Sequence, residues 1–212
     1  MSMMDAYMLG LLSADGFTTC RENKDGTKYY ITTLELAEKQ IIEDICKKYN
    51  KNIRYRQRII AGKQREFWSV IFLNNEIEQY GKYLVKGRPN IKNLYDNFSS
   101  DEKNEFIRGV FDGDGSIVCE KTKGRNYYRK TIGFSVNSSQ PDMKLIIDDF
   151  AKNNNLTLSS YFDKRGNGSW YLSFNGTKSL VCLYQLFFNT HHDIKNKRKY
   201  EIFHNAYTLC IK

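Results

Sequence analysis

Apolar and polar positions along the chain form two series of elements that follow the same order. Each series opens with an apolar helix, "YMLGLLSADG" (7–16) or "FIRGVFDGDG" (106–115), which closes on an Asp-Gly pair. A hairpin of alternating strands follows, then an amphipathic helix, a second hairpin and a closing helix. Repetition of a whole series at a fixed distance is typical of a duplicated unit. The pattern therefore predicts two αββαββα units in one chain.

The pattern assigns each half four strands and two further helices. In the first half we predict strands over 17–22, 28–33, 52–60 and 66–74, and helices over 34–50 and 75–84. The helix over 34–50 would present one apolar face made of Leu34, Ala37, Ile41, Ile42 and Ile45. In the second half we predict strands over 116–121, 127–136, 156–163 and 169–174, and helices over 141–154 and 178–188. Pro141 suits the first position of its helix, where a missing N–H costs little.

Each unit is predicted to form a four-stranded antiparallel sheet with helices on one face, which leaves the other face open. The expected fold class is therefore α+β, with two pseudo-symmetric halves. We place the first half at residues 1–95, a linker at 96–102 and the second half at 103–212. Ser100 or Asp101 is expected to cap the second motif helix, and an additional basic segment (193–209) ends the chain.

Charge and composition narrow the partners that such a fold would take. The 212 residues carry a formal net charge of +9 and include 15 tyrosines and 13 phenylalanines. A basic, aromatic-rich chain favours nucleic acid, and a solvated lysine-rich surface is the alternative. The five cysteines form no CxxC pair, so we expect buried, reduced thiols in an intracellular, non-secreted protein. No apolar run approaches the length of about 18 residues that indicates a membrane span.

Strand alternation predicts the side chains that the open faces carry, since successive residues of a strand point to opposite sides. One side of a first-half strand carries Arg54, Arg56 and Arg58. The matching second-half side carries Tyr127, Arg129, Thr131, Ser135 and Asn137. The hairpin tips add Lys63, Arg65, Lys164 and Arg165. Arginine suits guanine edges and phosphates, and small polar groups suit other base edges, so both faces are predicted to bind DNA.

The acidic helix ends indicate a metal site. Gly10 and Ala14 lie four residues apart in the first motif helix, as do Gly109 and Gly113 in the second, and such spacing lets two helix backbones approach closely. Asp15 and Asp114 would then meet at two negative helix ends, where carboxylates repel unless divalent cations lie between them. Mg²⁺ takes such oxygen ligands together with water and phosphate oxygens. A calcium loop is excluded, since the twelfth position counted from Asp112 is Lys123 rather than Glu.

The segments "MLGLLSADG" (8–16) and "IRGVFDGDG" (107–115) resemble the two motifs of single-chain LAGLIDADG homing endonucleases. The resemblance implies a saddle of two antiparallel sheets astride DNA, with Asp15 and Asp114 as the metal-binding acids and the carbonyls of Ala14 and Gly113 as further ligands. It also implies a catalytic lysine near the base of each sheet. These lysines resemble Lys86 and Lys199, with Lys195 and Lys197 open as alternatives. The polar residue that the family places at the end of the second strand resembles Thr33 and Ser138.

The function implied is that of a site-specific endonuclease which cuts double-stranded DNA at a long asymmetric target. The metal would be Mg²⁺ or Mn²⁺, with Ca²⁺ expected to bind without supporting cleavage. Because one chain carries both motifs, we expect a monomer that needs no protein partner, encoded by an intron or intein. Two alternatives stay open: a maturase that binds host intron RNA, and a non-catalytic DNA-binding protein of this fold.

Overall fold

The computed structural model describes residues 4–85, 87, 90–121, 123, 128–189 and 192–211. The elements of the first half are α1 (Ala6–Asp15), β1 (Gly16–Glu22), β2 (Lys28–Leu36), α2 (Lys39–Tyr49), β3 (Arg54–Ile60), β4 (Lys63–Phe72) and α3 (Asn74–Leu84). Those of the second half are α5 (Ser100–Asp114), β5 (Gly115–Lys121), β6 (Tyr128–Asn137), α6 (Pro141–Asn153), β7 (Leu158–Asp163), β8 (Ser169–Asn175) and α7 (Gly176–Phe188). Between them lies α4 (Ile91–Asp96), and the chain closes with α8 (Lys197–Ile211).

The two halves form separate four-stranded antiparallel sheets of identical topology. The strand order is β1-β2-β4-β3 in the first sheet and β5-β6-β8-β7 in the second. The register is equivalent as well: Leu34 pairs with Gly16 and Val70, and Phe134 pairs with Gly115 and Leu172. The predicted fold class, α+β with two pseudo-symmetric αββαββα units, is confirmed.

The predicted start of the helix after the first hairpin is wrong. β2 continues to Leu36, and α2 begins only at Lys39. Leu34 and Leu36 are buried strand residues, whereas Glu35 between them lies on the opposite side of the sheet. The segment "TTLEL" satisfies both a helical and an alternating pattern, and pairing of β2 with β1 and β4 decides for the strand. This correction moves Glu35 from a helix surface to the open face.

The helix ends around the linker also differ from the prediction. Ser99, not Ser100 or Asp101, caps α5: its Oγ accepts from the Glu102 N–H at 3.3 Å, and the Glu102 carboxylate accepts from the Ser99 N–H at 2.8 Å. This reciprocal capping box satisfies two N–H groups that a helix start leaves without partners. The short helix α4 was not predicted, and α5 begins inside the segment assigned to the linker. Pro141 occupies the first turn of α6, as predicted.

Each half buries its core between the sheet and the helices. The strands contribute alternate residues, among them Leu34, Val70, Phe72, Ile132, Phe134, Val136, Leu172 and Phe174. The helices cover these with residues such as Ile41, Ile42, Ile45, Ile77, Ile146, Phe150, Leu183, Phe187 and Phe203. Among the described residues, no helix is both long and apolar enough to span a bilayer. The five cysteines are free thiols; only Cys46 is buried and Cys20 is exposed, so the expected burial of all five is wrong.

Candidate nucleic-acid interface and metal site

The two motif helices, α1 and α5, pack against each other with their backbones in contact. A β-carbon added at Gly10 would lie 2.0 Å from the carbonyl oxygen of Phe106, and one added at Gly109 would lie 2.1 Å from that of Tyr7. Gly10 corresponds to Gly109 in the duplication, and Tyr7 corresponds to Phe106. The contact is therefore reciprocal, as a twofold axis between the helices requires. The glycine-lined seam predicted from the sequence is confirmed.

Both helices run without a loop into the first strand of their sheet and end on an aspartate. At the end of α1 and α5, Asp15 is half-buried and Asp114 is exposed. A β-carbon added at Gly113 would lie 2.9 Å from Oδ2 of Asp15 and 2.6 Å from the Ala14 β-carbon. The carboxylate of Asp15 therefore lies against the residue that precedes Asp114, across the seam. The ends of α1 and α5 therefore lie against each other, as predicted, and the approach of the Asp114 carboxylate to Asp15 stays a prediction.

This donor set fits a divalent cation that retains water and takes further oxygen ligands from a phosphate. Among the described residues, no group of three His, Cys, Asp or Glu side chains is placed to hold a metal ion. A metal would rely on Asp15, Asp114 and the adjoining carbonyl oxygens of Ala14 and Gly113. Mg²⁺ is commonly held by one or two carboxylates, with waters and substrate phosphates completing its octahedron. The missing side chain of Gly113 leaves room beside Asp15 that a β-carbon would fill.

Basic side chains cover the open face of the first sheet next to Asp15. A groove of about 660 Å³ is lined by Asp15, Thr33, Glu35, Arg54, Arg56 and Arg58. Lys63 and Arg65 continue this surface within β4, which starts directly after the two-residue turn. Arg58 and Arg65 are opposite each other in the β3–β4 register. Like charges at directly opposed positions destabilise a sheet, so this pair favours an anionic ligand on the face.

The open face of the second sheet is less basic and more hydroxyl- and amide-rich. Along β6, the residues of the open face alternate with buried residues, as predicted; the open-face residues are Arg129, Thr131, Ser135 and Asn137. Thr131 Oγ1 donates to Asn175 at 3.0 Å, and two exposed tyrosines, Tyr161 and Tyr171, stack with ring centroids 6.4 Å apart.

The basic residues of the second hairpin connection, Lys164 and Arg165, are exposed. The guanidinium of Arg165 donates to both carboxylate oxygens of Asp163, and these bonds lower the pKa of Asp163 to about 2. Tyr127, predicted to belong to this face, lies outside the described residues.

Several solved structures that are similar to this chain are homing endonucleases. The chain is similar to the LAGLIDADG homing endonuclease I-GzeII in complex with a DNA target, with a TM-score of 0.61 and 12% identity over 99% of this chain and 90% of that chain. It is also similar to the homing endonuclease I-WcaI bound to its DNA recognition sequence, with a TM-score of 0.65, 17% identity and coverage of 94% and 88%. This chain has the LAGLIDADG homing endonuclease fold.

A third similar structure is I-SmaMI bound to an uncleaved DNA target in the presence of calcium ions. Its TM-score is 0.61, with 11% identity over 99% of this chain and 91% of that chain. No protein-family model matches the chain, and no curated protein matches its sequence. The likeness is therefore one of fold, and it extends over both LAGLIDADG halves.

Within the LAGLIDADG fold, Lys199 is the C-terminal lysine that reaches a motif helix. Its Nζ donates to three carbonyl oxygens at the end of α5, those of Phe111 (2.8 Å), Asp112 (2.9 Å) and Gly113 (2.7 Å). Burial lowers the pKa of Lys199, and the charge of Asp112 opposes that shift. Of the two alternatives, Lys195 lies over the Tyr200 ring at 3.9 Å and Lys197 is exposed. A cation at this negative helix end offsets the partial charge that makes Asp114 unfavourable there.

The buried carboxylate of Asp112 links both LAGLIDADG helices to the C-terminal segment. Its Oδ2 accepts from Tyr7 Oη at 2.9 Å and from the backbone N–H of Asn196 at 3.0 Å. Arg108 Nη1 lies 3.9 Å away and also donates to the Ile194 carbonyl at 2.9 Å. Burial raises the pKa of Asp112 despite these partners. At the matching position in α1, Ser13 Oγ donates to the Leu9 carbonyl of its own helix.

Two residue assignments need comment. Lys86, the predicted catalytic lysine of the first half, lies outside the described residues. Thr33 and Ser138 were each predicted to be the polar residue at the end of the second strand of their half. They do not occupy equivalent positions: Thr33 pairs with Phe17 in the first sheet, and the corresponding residue of the second sheet is Gly133, which pairs with Ser116. Ser138 lies beyond β6, where its Oγ donates to the Asn167 carbonyl at 2.5 Å.

Glu35 is the residue of this face that sequence reasoning missed. Its carboxylate forms ion pairs with Arg56 and with Arg58, the latter at 2.5 Å between Oε1 and Nη2. The signal was available, since Thr33 and Glu35 alternate with the buried Leu34 and Leu36. Assigning this segment to a helix concealed it.

Proposed function

We propose that this protein is a site-specific DNA endonuclease of the LAGLIDADG family that depends on a divalent metal and acts as a monomer. The proposal is carried by one observation: Asp15 and the Gly113–Asp114 corner meet at the ends of two reciprocally packed helices. A single Asp-Gly pair after a helix is an ordinary turn. Two pairs that meet on the seam between the halves, one of them lining a basic groove, concentrate carboxylates where DNA phosphates would approach.

DNA as the substrate is supported by the charge of the open faces. Phosphate contacts supply much of the affinity of DNA-binding proteins, and base contacts made by arginine and by small polar groups supply specificity. Arg54, Arg56 and Arg58 on one sheet and Arg129 on the other provide both kinds of donor. The I-GzeII and I-WcaI structures named above hold DNA, and this chain shares their fold.

The chemistry divides between the chain and the metal. A bound divalent cation activates water and stabilises the leaving oxygen of a phosphodiester. Asp15, Asp114 and the carbonyls of Ala14 and Gly113 would hold it. The sheet faces bind and orient the duplex, and the helix seam fixes the spacing of the two acids. Because the acids belong to different halves, the site is shared, and neither half is complete alone.

The test begins with a target sequence. Rounds of selection from a randomised duplex library in Ca²⁺ would enrich a bound site, which is then challenged with Mg²⁺ or Mn²⁺. We expect wild-type protein to cut both strands in Mg²⁺ and in Mn²⁺, to stop on chelation, and to bind without cutting in Ca²⁺. Binding without cleavage in all three metals would overturn the endonuclease proposal in favour of a non-catalytic binder.

The acids are tested on the selected target. Asp15→Asn and Asp114→Asn should each abolish double-strand cleavage while changing DNA affinity only a few-fold, because each removes one carboxylate of a shared site. Asp101→Asn is the matched control, since Asp101 is an exposed acid in the first turn of the same helix as Asp114. Cleavage of both strands by Asp114→Asn at the wild-type rate would contradict a shared site.

A further inference from the structure

The first sheet carries a carboxylate at the centre of its basic face. Glu35 pairs with Ser69 across β2 and β4, and Ser69 pairs with Arg54 across β4 and β3, so the three side chains lie on one side of the sheet. The side chain of Glu35 is 14% exposed, whereas those of Arg56 and Arg58 are 54% and 43% exposed. The carboxylate therefore lies beneath the two guanidinium groups, which remain open to a ligand above them.

Each arginine is held at one edge of its guanidinium. Nε of Arg56 forms an ion pair with Oε2 of Glu35, and Nη2 of Arg58 lies 2.5 Å from Oε1. The guanidinium carbon of Arg58 also lies 5.2 Å from the centre of the Phe67 ring. A guanidinium has five N–H donors in a planar fork, and an ion pair with Glu35 through one nitrogen leaves the other nitrogens of each group outside that contact. For Arg56 these include both Nη groups.

Such restraint matters most for base recognition. Reading a guanine requires a guanidinium to donate two hydrogen bonds in one plane to O6 and N7, whereas a phosphate accepts from many directions. Ordering a long side chain on binding costs about 0.5–1.5 kcal/mol, and an ion pair already present in the free protein reduces that cost. The same carboxylate lowers the net charge of the cluster formed by Glu35, Arg56 and Arg58, which weakens its attraction to DNA phosphates whatever the base sequence.

We infer that Glu35 is a specificity-determining residue, which orients Arg56 and Arg58 to read guanines in one short part of the half-site contacted by the first sheet. This inference rests on the proposed DNA-binding function, and it adds that the base recognised by Arg56 and Arg58 is guanine. Glu35 is a positioning residue, since it acts through the two arginines. The second sheet has no equivalent device at this place, because the register puts Ser135, paired with Tyr171, where Glu35 lies.

The experiment compares Glu35→Gln with Glu66→Gln. Both changes remove one negative charge from the first sheet and leave the side chain almost isosteric. Glu66 is a matched control because it lies on the other side of β4, where it accepts from Tyr55 Oη at 2.8 Å. Wild type and both variants are passed through the same randomised duplex library, and their affinity for random-sequence duplex is measured separately.

We expect Glu35→Gln to bind random duplex at least as tightly as wild type and to lose about tenfold of its preference for guanine at the one or two positions read by the arginines. Glu66→Gln should keep the wild-type preference at every position. In an Arg56→Ala, Arg58→Ala background, Glu35→Gln should change the preference no further, because a positioning residue has nothing left to position. This last measurement separates positioning from a direct contact of Glu35 with DNA.

The outcomes are distinguishable. If wild type selects a sequence and Glu35→Gln selects the same one with equal strength, the role of Glu35 is refuted and the DNA-binding proposal stands. If wild type selects guanine at no position that Arg56→Ala alters, the assignment of guanine is refuted. If wild type shows no sequence preference at all, the proposed function and this inference both fall.

Discussion

Replacing Lys199 by methionine would test whether the end of α5, which carries the proposed metal ligand Asp114, depends on a buried cation. The change keeps a long, unbranched side chain but removes the donor to three carbonyl oxygens. Phe111 O also accepts from the Gly115 N–H, and Asp112 O lies 3.4 Å from Asn196 Nδ2, so the carbonyl of Gly113 is affected most. The carbonyl of Gly113 is part-buried, so leaving it without its donor costs about 1 kcal/mol, at the lower end of the range for an unsatisfied acceptor. Losing a cation at a helix C-terminus costs about 0.3–2 kcal/mol more.

Relief from burying an ammonium group offsets part of this, and we expect a net loss of about 1–3 kcal/mol. For a chain of this size each kcal/mol lowers the melting temperature by about 2–4 °C, so the expected fall is roughly 2–12 °C. Thermal and urea denaturation followed by circular dichroism measure it. Lys197→Met is the control, since Lys197 lies two residues away and is exposed. Cleavage should fall further than DNA affinity, because Asp114 directly follows the carbonyl that loses its donor.

Two results would refute this reasoning in different ways. If the melting temperatures of Lys199→Met and Lys197→Met both lie within about 1 °C of the wild-type value, the three hydrogen bonds do not stabilise the helix end. If it melts normally and binds DNA but no longer cleaves, the ammonium group acts on the reaction, as the family resemblance predicts, and the support of α5 is not its role.

Two further predictions concern the seam and the oligomeric state. Gly109→Leu should separate the motif helices, because even a β-carbon there would lie 2.1 Å from the Tyr7 carbonyl oxygen. We expect denaturant titration to show a destabilisation of about 1–3 kcal/mol or more, together with loss of cleavage. Cleavage at the wild-type rate would contradict the close contact of the two helices. Light scattering should give the mass of one chain, with one-to-one binding to a non-palindromic target, and an obligate dimer or a palindromic selected site would exclude this arrangement.

The duplicated fold could be predicted from the sequence because its signals are local and occur twice. Alternation, amphipathic periodicity and the two Asp-Gly helix ends each follow from neighbouring residues, and their repetition removes most of the ambiguity of a single copy. Strand alternation also assigned the correct side to Arg56 and Arg129. The glycine spacing predicted the seam, since only a close backbone approach requires glycine at these positions on two helices.

The contacts that support the site were less predictable because they join residues far apart in sequence. Lys199 reaches the end of α5 from the start of α8, and Tyr7 reaches Asp112 from the other half of the chain. No local pattern indicates which of three neighbouring lysines turns inward. The end of β2 could be predicted only in part. The alternation of Leu34 and Leu36 indicates a strand, but the same leucines also fit a helix that continues into α2, and only the pairing of β2 within the sheet decides between the two.

The two motif helices differ at the sixth motif position because the surroundings of that position differ between the halves. At the sixth motif position, α5 has the buried Asp112, which binds Tyr7 of the other helix and the backbone ahead of α8, whereas α1 has Ser13, whose hydroxyl bonds within its own helix. A buried carboxylate needs compensating partners: Tyr7 and the Asn196 backbone donate to Oδ2, and Arg108 adds a positive charge 3.9 Å away. The reciprocal glycines can therefore stay symmetric, because they only set the distance between the helices, while the residues around them diverge. A duplicated chain of this kind can keep the contact between its motif helices while the open face of each sheet changes separately.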